Sequence, residues 1–306
     1  MDTRRIGSLE VSVVGLGCNN FGRRIDEDAT RAVVDAALEE GVTFLDTADI
    51  YGGTKSEEFL GRALEGRRDR VVLATKFGMR VDDARPGGAD PAYVRRAVEG
   101  SLQRLRTNRI DLYQLHEPDP ATPIGDTLVV LDELVSEGKV REIGCSNFSA
   151  AQLREAEEAA GDGVARFVSV QNELNLLDRD DETDALPEAA RLGLAYIPYF
   201  PLAAGLLTGK YRRGAPPPAG TRIAGWPAED AEEALAEERF DRIDALARFA
   251  QERGHTLLEL AFAWLLALEP VVSVIAGATR PDQVLTNAAA GAWRLSAEDV
   301  AALASL

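Results

Sequence analysis

Cysteine is scarce in this chain: Cys18 and Cys145 are the only two in 306 residues. Two thiols cannot form a disulfide scaffold, and they suit a reducing cytoplasm. Long apolar runs are missing, and without about 18 consecutive apolar residues no helix spans a membrane. The first residues, MDTRRIGSLEVSVVG, carry charge but no apolar core segment or small-residue cleavage site, so no signal peptide is expected. Basic clusters are missing as well. The formal net charge is −17, a field that repels nucleic acid and anionic lipid and disfavours both as partners. An anionic small ligand stays open, because backbone N–H groups and single arginines bind phosphate inside an acidic protein. Histidine is limited to His116 and His255. With no paired cysteine ligands beside them, no metal site is expected. Finally, no GxGxxG follows the first strand-like segment. GLGCNNFG has the wrong spacing, which removes the best signal of a Rossmann sheet.

What is present is an alternation of strand-like and helix-like segments. Two short extended pieces, around Arg5-Ile6 and Leu9–Val11, meet at Gly7-Ser8 and predict a hairpin. Eight strands follow: Val13–Cys18, Val42–Asp46, Val71–Lys76, Asp111–His116, Val140–Ser146, Phe167–Asn172, Leu194–Pro198 and Val271–Ala276. The segments between them have helical faces; Val94, Val98, Ser101, Leu102 and Leu105 make one apolar stripe. Thr122 and Pro123 read as the N-cap and first residue of one helix, and Ser149 with Gln152 as the capping box of another. Phe240 to Leu268 is helical, broken near Gly254. Eight such units predict an α/β fold, a (β/α)8 TIM barrel with an N-terminal β-hairpin. It is read as one domain over residues 1–306. Arg80–Asp90 and Gly209–Glu237 read as long loops at the C-terminal rim, the second carrying an acidic run expected on a solvated helix face.

The strand ends carry the chemistry. Successive strands end at Asp46, Lys76, His116, Ser146 and Gln171-Asn172, with Tyr51 five residues beyond Asp46. A barrel brings these ends to one rim, where active sites of this architecture lie. A tyrosine titrates near 10, too high for easy proton exchange at neutral pH. A cation beside it, Lys76, is expected to lower that value, with Asp46 holding the lysine in place and His116 orienting a polar substrate atom. His255 begins a helix after Gly254 and reads as a capping or surface residue.

The segments FLDTADIYGGTKSEEFLG, VVLATKFG, IDLYQLHEPDP, GKVREIGCSNFS, VSVQNELN, YFPLAAGLLTGKY and VIAGATRPDQVLTN together resemble the aldo-keto reductase superfamily over essentially the whole chain. The resemblance implies a barrel enzyme that reduces an aldehyde or ketone to the alcohol, reversibly, with a nicotinamide cofactor lying across the barrel mouth. It makes Tyr51 the proton donor, tuned by Lys76 and Asp46, and His116 the residue that orients the carbonyl. It gives Ser146, Asn147 and Gln171 the cofactor carboxamide and Tyr199 the nicotinamide ring. Gly17, Cys18, Asn19 and Asp46 fall on the same mouth. Phe200 and Pro201 follow as cofactor contacts near the nicotinamide; Leu202, Gly205, Leu206 and Lys210 match the pyrophosphate segment, and Gly277, Thr279, Arg280, Gln283 and Asn287 the adenosine end. Thr279 and Arg280 suit a 2′-phosphate, favouring NADPH over NADH.

Two departures from the family pattern bear on the pocket. Phe200 stands where serine is usual, and Cys18-Asn19-Asn20 replaces a threonine and often an aromatic, which predicts a more polar pocket. The short C-terminal tail predicts an open one. Two rivals remain at this level: a nicotinamide-binding redox-sensing subunit of the same fold, and a Schiff-base lyase using Lys76. No motif selects a substrate or an oligomeric state.

Overall fold

The computed structural model describes residues 1–161, 163–304 and 306. Strands β1 (Thr3–Ile6) and β2 (Leu9–Ser12) form the antiparallel hairpin. Its turn needs Gly7, which has φ of +54° and lies so near Glu142 that a Cβ would sit 2.8 Å from that carboxylate. Eight parallel strands follow: β3 (Val14–Gly17), β4 (Phe44–Asp46), β5 (Val72–Phe77), β6 (Ile110–Leu115), β7 (Val140–Ser146), β8 (Ser169–Glu173), β9 (Ala195–Tyr199) and β10 (Val274–Gly277). They pair in chain order from β3 to β9, and β10 pairs with β3. The seam between β9 and β10 closes where Tyr196 N–H donates to the Pro270 carbonyl and Val272 N–H to the Tyr196 carbonyl, both at 3.0 Å. The fold is the (β/α)8 barrel read from the sequence, with strand ends shifted by a few residues.

The helices form the outer ring: α1 (Glu27–Glu39), α2 (Lys55–Ala63), α3 (Pro91–Leu105), α4 (Ile124–Ser136), α5 (Ala150–Ala160), α6 (Ala185–Leu192), α7 (Ala228–Ala234), α8 (Glu237–Glu252), α9 (Leu257–Ala267), α10 (Pro281–Ala290) and α11 (Ala297–Leu303). Local chemistry explains their ends. Asp26 accepts from Ala29 N–H at 3.0 Å to cap α1, and Ser149 and Gln152 make the expected capping box of α5. The start of α4 is displaced by one residue. Thr122 Oγ1 turns to Asp119, to which it donates at 2.8 Å, and Pro123 stands at the N-cap with no side-chain cap bond. Gly254, with φ of +75°, separates α8 from α9, and Thr256 with Glu259 recaps the chain. His255 precedes that cap, bonds Glu259 at 3.1 Å and stacks on Trp293. The acidic run lies in α7 and the start of α8. α7 lies within the segment read as a loop, because Ala228–Ala234 is built of strong helix formers behind Pro227.

Two apolar cores hold these layers. One lies between barrel and helices; the other fills the barrel, where Phe44, Ala74, Leu112, Ala195, Ile197 and Ile275 meet Ile6, Leu9 and Val11 of the hairpin. The hairpin thus plugs the barrel end opposite the site. Each of its three apolar side chains contributes about 2 kcal/mol by burial.

Candidate active site

Side chains alternate across a strand, so the residues two places beyond the apolar plug must also point inward. Phe44 is followed by Asp46, Ala74 by Lys76, and Leu112 by Gln114 and then His116. The barrel interior therefore turns from apolar to polar toward the C-terminal rim. Lys76 Nζ, with no solvent exposure, donates to Asp46 Oδ2 at 2.5 Å, to the Thr47 carbonyl at 3.0 Å and to Tyr51 Oη at 3.4 Å. Asp46 Oδ1 accepts from Gln114 Nε2 at 3.1 Å and Gln171 Nε2 at 2.9 Å. The Tyr51 and His116 rings meet edge to face, centroids 5.8 Å apart. One acid, one amine, one phenol and one imidazole are brought together as the strand ends implied.

The electrostatics differ from the sequence reading at one point. Packing around Tyr51 raises its phenol above the ordinary value; Lys76 pulls the other way and does not prevail. Burial outweighs the cation because the lysine is shared with Asp46. Lys76 itself is lowered by burial, but Asp46 and Tyr51 more than offset this, so its amine is held protonated. His116 is pushed down to about 3 by burial and then by Lys76. Its imidazole is neutral at physiological pH, and its Nδ1 has no protein partner. The set is a protonated phenol backed by a cation, beside a neutral imidazole, an arrangement chemically able to give a proton to a polar atom and to orient it.

A groove of about 670 Å³ runs over this set. Asp46, Tyr51 and His116 line it, and Lys76 lies beneath them. Gly17, Cys18, Asn19, Ser146, Asn147, Gln171, Tyr199, Phe200, Pro201, Leu202, Gly205 and Lys210 also line it, as do Gly277, Thr279, Arg280, Gln283 and Asn287. Leu206 is the exception; it lines a neighbouring cavity of about 770 Å³ that shares Asn147, Tyr199 and Phe200 with the groove. Several groups expected to face a ligand also bond one another. Ser146 Oγ donates to the Gln171 carbonyl at 2.6 Å, Asn147 Nδ2 to the His116 carbonyl at 2.9 Å, and Tyr199 Oη to Asn147 Oδ1 at 2.9 Å. Asn147, Phe200 and Ala204 on the groove wall, and Ala203 beside them in the neighbouring cavity, have positive φ without being glycine, a local strain at this edge of the site.

The segment after β9 folds back over the groove and adds beside Lys210 a cation that the sequence reading did not single out, Arg222. Arg222 donates to Asn19 Oδ1 at 3.1 Å and stacks 5.0 Å from the Phe200 centroid. Both departures from the family pattern therefore meet one arginine. Asn20 is buried and donates to the Ala278 carbonyl at 3.3 Å. Both amides line the groove and also fasten its rim. Arg24 donates to the Gly220 carbonyl at 2.5 Å. Lys210 passes so close to Gly205 that a Cβ there would lie 2.4 Å from its Nζ. Among the described residues, Arg24, Lys210 and Arg222 have no carboxylate partner, in a chain that pairs many of its arginines. Lys210 and Arg222 are both lowered, first by burial and then by neighbouring cations. Arg280 is engaged with Asp282 at 3.0 Å. Among the described residues no group of three or more His, Cys, Asp or Glu is arranged to hold a metal.

Comparison with known proteins decides what this constellation belongs to. The model of the Aldo/keto reductase family matches residues 13–306. The chain belongs to the aldo/keto reductase family. It is 34% identical over 303 residues to the aldo-keto reductase YhdN of Bacillus subtilis (strain 168), covering 95% of this chain and 88% of that one. Among solved structures it is similar to the aldo-keto reductase AKR11C1 from Bacillus halodurans in its holo form. That likeness has a TM-score of 0.82 at 34% identity, covering 100% of this chain and 96% of the other. It is also similar to the glycerol dehydrogenase AKR11B4 from Gluconobacter oxydans, with a TM-score of 0.83 at 34% identity, covering 99% and 94%. This aldo/keto reductase is an enzyme of the oxidoreductase class.

Residues of the groove and of the polar layer beneath it that lie outside the sequence reading divide by the signal available. Gln114 shares the inward parity of Leu112 and His116, so the pattern IDLYQLH carried it. Arg222, Arg24 and Met79 lie on loops, where no periodicity announces which side chains turn inward.

Proposed function

We propose that this aldo/keto reductase uses NADPH to reduce an aldehyde or ketone to the alcohol, reversibly, with Tyr51 as the proton donor. The observation that carries the reading is Lys76 Nζ, fixed by Asp46 at 2.5 Å and lying 3.4 Å from Tyr51 Oη. A carbonyl oxygen held by the neutral His116 N–H and the Tyr51 hydroxyl is polarised. As negative charge grows on that oxygen, Tyr51 releases its proton to it, and the adjacent ammonium stabilises the phenolate left behind. The raised phenol keeps its proton until then, which suits a donor.

The groove fits a nicotinamide dinucleotide by its own chemistry. Three cations without carboxylate partners, Arg222 partly buried and Arg24 and Lys210 exposed, make a positive rim that an anion would complete, and phosphates supply one. Lys210, Arg222 and Arg24 would hold the pyrophosphate, Tyr199 and the amides of Asn147 and Gln171 the nicotinamide end, and Gly277 to Asn287 the adenosine. Thr279 and Arg280 favour a 2′-phosphate, with Arg280 dividing its guanidinium between that group and Asp282. When bound, the cofactor supplies the hydride. Cys18 and Cys145 are free and buried, which suits a cytoplasmic enzyme. The Schiff-base alternative needs a neutral amine at Lys76, and Asp46 opposes it.

One structural neighbour is described as a glycerol dehydrogenase. Short hydroxyaldehydes and hydroxyketones therefore belong in the substrate panel beside aromatic aldehydes and diketones. The test is loss of reduced-cofactor absorbance with that panel, run with NADPH and NADH. Turnover with an NADPH preference supports the reading. No turnover on any carbonyl, with NADPH still tightly bound, would replace it with the redox-sensing subunit.

A further inference from the structure

Asp49 is a buried acid, 2% exposed, that the chemistry above does not use. It sits on the arm that carries Tyr51. That arm continues the ladder of β4 along β5: Thr47 N–H donates to the Ala74 carbonyl at 2.9 Å and Asp49 N–H to the Lys76 carbonyl at 3.1 Å. Lys76 Nζ closes the arm from the other side on the Thr47 carbonyl, and Tyr51 N–H donates to the Ala48 carbonyl at 3.2 Å. A shift at Asp49 is therefore transmitted to the phenol two residues on.

The surroundings of Asp49 tolerate a neutral carboxyl better than a charged one. Its Oδ1 has no hydrogen-bond partner, and neither has the hydroxyl of Tyr113 on β6. Glu57 on α2 is fully buried and also faces it. Both Glu57 oxygens are occupied, by Thr75 Oγ1 at 2.6 Å and by Arg104 Nε of α3 at 2.6 Å. The cation nearest to compensating Asp49 is thus already engaged. Tyr93 on α3 and Arg85 in the loop after β5 complete the titratable groups around it, and Arg85 is paired with Asp82.

We propose that Asp49 is a positioning residue for Tyr51, holding the 47–51 arm against β5 while its carboxyl is neutral and loosening that arm when it ionises against Glu57. The inference rests on Tyr51 being the proton donor. Burial, and then Glu57, pushes the Asp49 carboxyl up to about 7, so the transition falls in the physiological range. The sign follows from the raised value: the neutral arm prevails below pH 7 and is lost as pH rises through it. His116, down at about 3, and Tyr51, above its ordinary value, do not titrate there.

The test is the pH profile of kcat and KM for carbonyl reduction between pH 6 and 8.5. Wild type is expected to lose kcat on the order of tenfold across pH 7, since small misplacements of a catalytic group are costly. Asp49→Asn, fixed in the neutral shape, should show no such fall, while Asp49→Ala should be slow at every pH. Glu173, a half-buried acid outside the groove also pushed up to about 7, serves as control, and Glu173→Gln should keep the wild-type profile. A fall that persists in Asp49→Asn, or that vanishes in Glu173→Gln, overturns the proposal. The NMR signal of labelled Tyr51, assigned with Tyr51→Phe, gives a readout independent of turnover. It should move across pH 7 in wild type and not in Asp49→Asn, and an unmoved signal in wild type also overturns the proposal. If no carbonyl is turned over at any pH, the reductase reading fails, while the Tyr51 signal still decides the role of Asp49.

Discussion

In the proposed mechanism the Lys76–Asp46 pair serves chemistry at the expense of stability, and breaking it one charge at a time should show this. Both partners are essentially unexposed, at 0% and 2%. Lys76→Met leaves a buried carboxylate that keeps only the Gln114 and Gln171 amides. An uncompensated buried charge costs about 3–5 kcal/mol, and two donors bring this toward about 3 kcal/mol. Asp46→Leu strands an ammonium, orphans Gln114 Nε2 and leaves Gln171 Nε2 only its 3.4 Å bond to Gln114 Oε1, at about 4 kcal/mol by the same reasoning. The double substitution removes both charges and leaves Gln114 Nε2 unpaired and Gln171 Nε2 with only its long bond to Gln114, about 2 kcal/mol. The double variant should therefore be more stable than either single one, with a large departure from additivity. Denaturant unfolding at pH 7 measures all four proteins. A double variant that loses the sum of the single losses, about 7 kcal/mol, would refute the argument. All three variants should lack turnover.

Other consequences follow from the same geometry. Arg280→Ala should weaken NADPH by about 10–100-fold and NADH much less, the scale of a lost charge-assisted pair; equal effects on both cofactors in fluorescence titrations would remove the 2′-phosphate role. Arg222→Ala should speed cofactor release in stopped-flow displacement and reduce its salt dependence, because an unpaired guanidinium is removed from the groove. Asp111, 1% exposed, bonds Arg68 at 2.6 Å, Arg141 at 3.1 Å and Leu73 N–H at 2.9 Å; Asp111→Ala should cost about 3 kcal/mol in denaturant unfolding, with activity retained in the folded fraction. His116 is held neutral down to about 3 against about 6.5 unfolded, so its contribution to stability is fully present above pH 6.5. It is lost as pH falls, with a slope of about 1.4 kcal/mol per pH unit, and His116→Gln should lack that slope.

How much of this was legible in the sequence depends on periodicity. Strands with inward parity announced both the barrel and its polar layer, because Phe44–Asp46 and Ala74–Lys76 read as apolar then ionisable at a period of two. Gln114 was available by the same rule. The raised Tyr51 was not, because its value is a balance of burial and charge that needs distances. Arg222 was hidden for another reason. It lies on an aperiodic segment, and only the fold reveals that Asn19 and Phe200 make it a seat. The start of α4 was read one residue early, because the spacing does not show that the Thr122 side chain turns to Asp119.

The most direct test of the central claim is turnover and NADPH affinity measured together in Tyr51→Phe. The phenyl ring keeps its edge-to-face contact with His116 and loses only the hydroxyl 3.4 Å from Lys76. Turnover is expected to fall by about 10²–10⁴-fold, the contribution of a positioned general acid, with cofactor affinity within a factor of a few. A variant that reduces carbonyls at near wild-type rates would contradict the assignment of Tyr51 as the acid.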